Sequence, residues 1–207
     1  MTANEPTVFL VDDDDAVRDA LELLLDSVGI RTAAYPSAAA FLEHYDHSRP
    51  GCLVLDIRMP AMSGMELQAA LVEKSVTIPI IFLSGHGNVS MSAKAFRSGA
   101  VDFLEKPFDE NVLLQRIQEA IRVDQSSREA AARRVEANTR LASLTPRERE
   151  VMLLIVAGHS NKEIATKLDL STRTIETHRG HIIEKTGAHS LADLIELALA
   201  SGSHELK

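Results

Sequence analysis

The 207 residues include a single cysteine, Cys52, so an intramolecular disulfide is excluded. Cys52 opens an apolar run, and a buried, inert thiol is the expectation there. Long hydrophobic runs are missing too: no stretch approaches the ~20 apolar residues that span a bilayer. The opening segment Met1 to Pro6 is polar and carries no secretory pattern. A cytoplasmic protein with no membrane partner is therefore expected. No internal repeat is present. Nor is there a surplus of positive charge. Residues 1–123 hold 10 Lys+Arg against 18 Asp+Glu, a net of −8. Residues 124–207 hold 12 of each and are neutral. The acidic part argues against contact with nucleic acid, whereas the neutral part permits it. With 45% hydrophobic and 25% charged residues, the chain is ordinary globular material, long enough for one or two domains.

What the chain does have is acid, hydroxyl and ammonium groups at the ends of short apolar runs. Val8-Phe9-Leu10-Val11 leads into Asp12-Asp13-Asp14-Asp15. Cys52-Leu53-Val54-Leu55 ends at Asp56, Ile80-Ile81-Phe82-Leu83 at Ser84, and Val101 to Glu105 at Lys106-Pro107. The runs predict strands near 7–11, 31–34, 52–55, 80–83 and 101–105. Between and after them, helical patterns fall near 16–28, 37–45, 64–74, 91–98 and 109–122. Val17, Leu21, Leu24, Leu25 and Val28 form one apolar stripe, which Gly29 stops, and Ser37 and Asp109 are N-cap candidates. Strands alternating with helices give a parallel α/β sheet. Ligands of such sheets sit beyond the strands' carboxyl ends, so Asp12, Asp13, Asp56, Ser84 and Lys106 are expected to converge there.

From about Arg122 to Ala142 the apolar stripe fades, while Ala, Arg and Glu favour helix. This segment, 123–142, reads as a helical linker and semi-rigid spacer ending in a joint, and its being one helix is left open. Residues 143–207 then carry helical patterns alone. Thr145-Pro146-Arg147-Glu148 is a capping box with Pro at the first helical position. Asn161, Ser171 and Ser190 open three further helices. Two short helices joined by a tight turn, the second with polar residues outward, fit a helix-turn-helix.

Clustered carboxylates with a hydroxyl and an ammonium suit a divalent cation and a phosphoryl group. Mg²⁺ takes near-octahedral oxygen ligands and keeps several waters. Asp13 and Asp56 are carboxylate candidates, with Asp12 holding a water. The metal offsets charge as phosphoryl meets Asp56 to form an acyl phosphate. Lys106 and Ser84 each take a phosphoryl oxygen. Asp14 and Asp15 read as cap and dipole partners of the first helix.

These pieces resemble the receiver domain of two-component response regulators over nearly all of 6–122. The matching residues are Val11-Asp12-Asp13, Asp56 to Pro60 with Gly64, Ser84 to Gly87, and Glu105 to Phe108. The resemblance implies a flavodoxin-like (βα)5 fold with strand order 2-1-3-4-5. It implies phosphorylation of Asp56 by a sensor histidine kinase, and Mg²⁺, with Mn²⁺ as a substitute, on Asp12, Asp13, Asp56 and the Arg58 carbonyl. A cis bond before Pro107 and a switch through Ser84 and Phe103 are also implied. Phe at 103, where many relatives carry Tyr, leaves that switch to packing.

Leu144 to Glu150, Asn161 to Ala165 and Ser171 to His178 are similar to the LuxR-type four-helix DNA-binding domain, over about 143–201. The whole chain thus resembles the FixJ/NarL class, on the FixJ branch. DNA-contact candidates are Lys162, Arg173, Glu176, Thr177, His178, Arg179, Gly180 and Lys185. Glu and Thr suit base edges, whereas Arg and Lys suit phosphates. Residues 142–207 hold 8 Lys+Arg against 9 Asp+Glu, so a lone domain is expected to bind weakly and a homodimer to bind paired half-sites. The resemblance implies dimer surfaces on the fourth helix and fifth strand of the receiver and on the last helix at Leu191, Leu194, Ile195 and Ala198, although some of these last-helix residues must be core. Promoter DNA and RNA polymerase are the implied further partners, with activation the expected outcome and no catalysis beyond the receiver's own phosphorylation and dephosphorylation. The rival is a haloacid-dehalogenase-like phosphatase with Asp13 as nucleophile and Asp15 as acid/base. That reading leaves Asp56 and the last four helices without a role.

Overall fold

The computed structural model describes residues 5–85 and 102–202. Five strands, β1 (Thr7–Val11), β2 (Arg31–Tyr35), β3 (Gly51–Asp56), β4 (Ile80–Ser84) and β5 (Asp102–Glu105), form one parallel sheet in the order β2-β1-β3-β4-β5. The period of two along each strand divides its side chains between two cores. Phe9, Leu53, Leu55 and Phe82 point to one face, where Phe41 of α2 (Ala38–His44) and Leu67 and Leu71 of α3 (Gly64–Glu73) cover them. Val8, Leu10, Cys52, Val54, Ile81 and Leu83 point to the other. There Leu21 and Leu25 of α1 (Asp15–Ser27) and Leu113 and Ile117 of α4 (Glu110–Ala142) close the layer. Strands buried on both faces read as unbroken apolar runs, which is why the sequence shows them so plainly. Each fully buried Leu or Phe contributes roughly 1.5–3 kcal/mol.

Local chemistry sets the ends. Asp14 caps α1, its carboxylate accepting from the Ala16 and Val17 amides, and Asp15 sits in the first turn beside the helix dipole. Ser37 caps α2, accepting from the Ala40 amide. The peptide bond between Lys106 and Pro107 is cis. The expected helix at 91–98 lies outside the described residues.

Helix α4 runs unbroken for 33 residues to Ala142, so the stretch 122–142 is one helix and the expected joint is no break in it. The chain forms two compact units, one ending at Arg128 and the other starting at Glu129. In the second unit lie α5 (Pro146–Val156), α6 (Asn161–Leu168), α7 (Thr172–Thr186) and α8 (Leu191–Ser201). Ser160, one residue before the expected start, caps α6, and Asp169 in the left-handed region turns the chain towards α7. Val151, Met152, Ile155, Ile164, Ile175, Ile182 and Leu194 form the core, with Leu141 from the end of α4. Leu194 and Ala198 are buried within this unit and offer no surface, which corrects their assignment to a dimer face. Helical spacing turns them inward, leaving Leu191 and Leu199 exposed on α8.

Candidate functional site

The sheet brings four strand ends to one edge. Val11 pairs with Leu55, Asp56 with Leu83, and Ser84 with Glu105, so Asp12, Asp56, Ser84 and Lys106 lie at neighbouring carboxyl termini. Lys106 Nζ donates to Asp12 Oδ2 at 2.7 Å and to Asp56 Oδ1 at 2.8 Å. Both carboxylates are buried, and such charges persist only when paired and hydrogen-bonded. Burial opposes the Lys106 charge, but the two carboxylate bonds outweigh it and hold the ammonium above its ordinary range. Asp56 Oδ2 accepts from the Arg58 amide at 2.6 Å, and Asp12 Oδ1 from the Asp14 amide at 3.0 Å. Arg18 donates to the Asp12 carbonyl at 2.6 Å and pairs with Asp15. Ser84 is buried, and its carbonyl accepts from the Lys106 amide at 2.7 Å. Phe103 is partly buried against the core under α2 and α3.

Gly64 makes this edge possible. A Cβ there would lie 2.3 Å from the Asp56 carbonyl oxygen, so only glycine lets α3 start so close behind the acid. Its amide donates to the Ile57 carbonyl at 3.0 Å, fixing the turn after β3.

Asp12, Asp56 and Lys106 therefore meet directly, whereas the neighbouring Asp13 is exposed and joins none of these bonds. Among the described residues no group of three His, Cys, Asp or Glu side chains is gathered tightly enough to hold a metal. The donor chemistry nevertheless fits a hard cation: the candidates are carboxylate and carbonyl oxygens, and Lys106 already places one positive charge between two of them. For the phosphatase alternative the geometry is poor. Asp15 is held by Arg18 and largely exposed, rather than poised over Asp13 as an acid.

Helix α7 carries the second group of candidates. Ile175, Ile182 and Thr186 face the core, so the opposite face of a 3.6-residue helix bears Arg173, Thr177, Gly180 and Glu184. Glu176 flanks this stripe and is also exposed, as is Lys162 on α6. Two candidates, Arg179 and Lys185, are engaged within the fold, and a third, His178, is half-buried. Arg179 is half-buried and donates to Asn161 Oδ1 at 3.2 Å. His178 is half-buried, and its Nδ1 is buried without a hydrogen-bond partner in the structure. Lys185 Nζ donates to both oxygens of Glu148, at 2.9 and 2.7 Å.

Glu148 was legible only as the end of a capping box. It does close that box, accepting from the Thr145 amide and hydroxyl at 2.8 and 2.9 Å. The Lys185 hydrogen bonds, followed by the Thr145 amide, hold its carboxyl at about 2, well below its ordinary 4.5. It thus ties the start of α5 to the end of α7. Glu184 shares this outward stripe and was not among the candidates, although its i+4 spacing from Gly180 was available as a signal.

Comparison with known proteins finds two families. Residues 8–118 match the response regulator receiver domain, and 142–198 match the bacterial regulatory proteins of the luxR family. The response regulator protein TmoT of Ectopseudomonas mendocina is 41% identical over 95% of this chain and 90% of its own length. The transcriptional regulatory protein FixJ of Bradyrhizobium diazoefficiens is 42% identical over 94% of this chain and 95% of its own. Among solved structures, the response regulator StyR superposes with a TM-score of 0.83 at 42% identity, covering 94% of this chain and 98% of that one.

Proposed function

The chain belongs to the FixJ/NarL class of two-component response regulators, and from that premise we propose that phosphorylation of Asp56 controls how its LuxR-type domain binds promoter DNA. The observation that carries this reading is the Lys106 ammonium bridging two buried carboxylates at the strand ends.

A sensor histidine kinase presents a phosphohistidine. An oxygen of Asp56 attacks phosphorus; the new P–O bond forms as the P–N bond breaks, and the leaving imidazole nitrogen keeps the electron pair and takes a proton. Lys106, 2.8 Å from Asp56 Oδ1, pairs with a phosphoryl oxygen as charge moves outward from the carboxylate. The Arg58 amide holds the second Asp56 oxygen and so fixes the direction of attack. Asp12, Asp13, Asp56 and the Arg58 carbonyl would hold Mg²⁺, or Mn²⁺ in its place, which supplies charge neutralisation for the incoming phosphoryl oxygens. Ser84 donates its hydroxyl to a further phosphoryl oxygen, and Phe103 turns into the room this leaves. With no phenolic OH on Phe103, packing alone favours the active state. That shifts the receiver towards a homodimer, which raises the effective concentration of the second DNA-binding unit.

On the DNA, α7 enters the major groove with Glu176, Thr177 and Gly180 towards base edges, while Arg173 and Lys162 meet phosphates. Arg179 and Lys185 act from behind, holding α7 on its neighbours through Asn161 and Glu148, while His178 stays a half-buried candidate at the edge of this face. The result is regulated transcription in the cytoplasm, with activation through RNA polymerase as the expected direction.

The test is intact mass and solution size after acetyl phosphate and Mg²⁺, for wild type and Asp56→Asn. One phosphoryl group that requires Asp56, with monomer becoming dimer, supports the reading. An adduct without a change in size removes the dimerisation step. Steady phosphate release that depends on Asp13 removes the reading altogether.

A further inference from the structure

Helix α4 leaves the receiver body at about Arg122, and from there to Glu136 almost every side chain is exposed. Asp124 is the only buried residue in that stretch, at 2% exposure, and Arg128 is half-buried one turn later. Both are polar side chains, where an apolar residue would be the ordinary choice for packing.

Their partners explain the placement. Asp124 Oδ2 accepts from the Gly51 amide at 2.8 Å and from Arg128 Nε at 2.7 Å. The Arg128 guanidinium also donates to three consecutive backbone carbonyls: His47 at 2.9 Å, Ser48 at 3.3 Å and Arg49 at 3.0 Å. These carbonyls belong to the loop between α2 and β3. Asp46 pre-shapes that loop by accepting from the Ser48 amide at 2.9 Å, and Arg49 ties it to the Thr7 hydroxyl at 2.9 Å. At its end a Cβ on Gly51 would lie 1.8 Å from the Thr7 carbonyl oxygen, so the loop lies hard against β1. A planar fork of five donors spans one carboxylate and three carbonyls; a lysine ammonium, a point charge, does not.

From Glu129 to Glu136 the helix has no such support among the described residues. Glu129-Ala130-Ala131-Ala132-Arg133-Arg134-Val135-Glu136 is exposed throughout, and Ala137 is the next buried residue. A Glu129–Arg133 pair at 3.9 Å is weak support at a fully wetted surface. An isolated helix this short is marginal in water, so its order depends on how its ends are held.

We infer that Asp124 and Arg128 are positioning residues that anchor the receiver end of the linker helix to the loop between α2 and β3, so that 129–136 conveys the phosphorylation signal as a rigid element. This rests on the function proposed above, because it supplies the mechanical link between the two domains.

The test uses the full chain: wild type, Arg128→Gln, Arg128→Lys and Asp124→Asn. Hydrogen exchange is followed at amides 122–136, together with Asp56 phosphorylation by acetyl phosphate. The third readout is the ratio of DNA affinities with and without the phosphoryl group, on duplexes selected from a random pool by the phosphorylated protein. In Arg128→Gln, exchange across 122–136 rises ~10-fold or more, since several charge-assisted hydrogen bonds are lost. Phosphorylation keeps its wild-type rate, while the affinity ratio falls to within ~2-fold of one. Arg128→Lys keeps the charge and folds, yet behaves as Arg128→Gln; it decides the matter if Asp124→Asn does not fold. Unchanged exchange in Arg128→Gln and Arg128→Lys overturns the anchor. Faster exchange with an undiminished ratio overturns its part in signalling. If wild type itself gains no affinity on phosphorylation, the function proposed above fails, and the exchange result still decides the anchor.

Discussion

The receiver edge and the α7 face use the same residue types in opposite ways. At the receiver edge Asp12, Asp56 and Lys106 are gathered from three strands, the two carboxylates buried and the ammonium half-buried between them at 2.7–2.8 Å. On α7 the candidate DNA-facing residues come from one helix and stand in solvent. The comparison teaches where charge is made to work. In the sheet, topology brings distant residues together, and low dielectric strengthens what they do. On the helix, charges act one at a time on a partner from outside, and any cation with an internal partner is lost to that purpose. Lys185, held by Glu148, belongs to the first mode although it sits on the second surface.

The largest effect that would break this contrast is at Lys106. Lys106→Met removes the only cation shared by Asp12 and Asp56 among the described residues. The rate of Asp56 phosphorylation by acetyl phosphate falls by ~10²-fold, as expected for losing one preorganised electrostatic partner. Stopped-flow or quenched mass spectrometry reads it, and a rate within a few-fold of wild type denies the buried site its advantage.

Next in size is the acid response of the effector. Glu148 is held at about 2 when folded, against 4.5 ordinarily, first through Lys185. A depressed carboxylate adds stability that is fully present above 4.5 and is lost as pH falls through about 2. The effector transition of the full chain, followed calorimetrically between those limits, therefore weakens with acid in wild type and depends less on pH in Glu148→Gln. Equal slopes would show that the pair contributes nothing.

A smaller effect separates the two kinds of cation on α7. Arg173→Ala weakens DNA binding by ~3–10-fold and lowers the salt slope by about 1. Lys185→Ala leaves the salt slope unchanged and lowers thermal stability instead. Titrations at several salt concentrations distinguish them, and an equal change of slope would place Lys185 on the phosphates. Smallest is Glu184→Gln, which removes a negative charge from the outward stripe and tightens binding by ~2–3-fold. An unchanged affinity places Glu184 beyond reach of the DNA.

These cases also mark what the sequence reveals. The strands themselves were readable because strands buried on two faces appear as runs such as Val8 to Val11 and Cys52 to Leu55, whereas their order 2-1-3-4-5 came from the family resemblance. The meeting of Asp12, Asp56 and Lys106 followed from those runs, since strand ends fix where the next residue stands. Asp124 and Arg128 gave no comparable signal: beyond their own i,i+4 pair, their partners are backbone groups 73 to 81 residues away, and backbone groups have no residue identity to read. The pairing of Lys185 with Glu148, 37 residues apart, was hidden for a similar reason. On α8 the helical period alone did not say which flank of the apolar stripe turns inward, so it left open that Leu194 and Ala198 are the core members of the four.

The central claim is that the receiver edge governs the α7 face. It is tested most directly by the affinity of the full chain for duplexes selected from a random pool, before and after acetyl phosphate with Mg²⁺, in wild type and Asp56→Asn. The account predicts a gain of ~10-fold or more in wild type, a coupling of about 1.4 kcal/mol, and none in Asp56→Asn. Equal affinities in all four samples would contradict it.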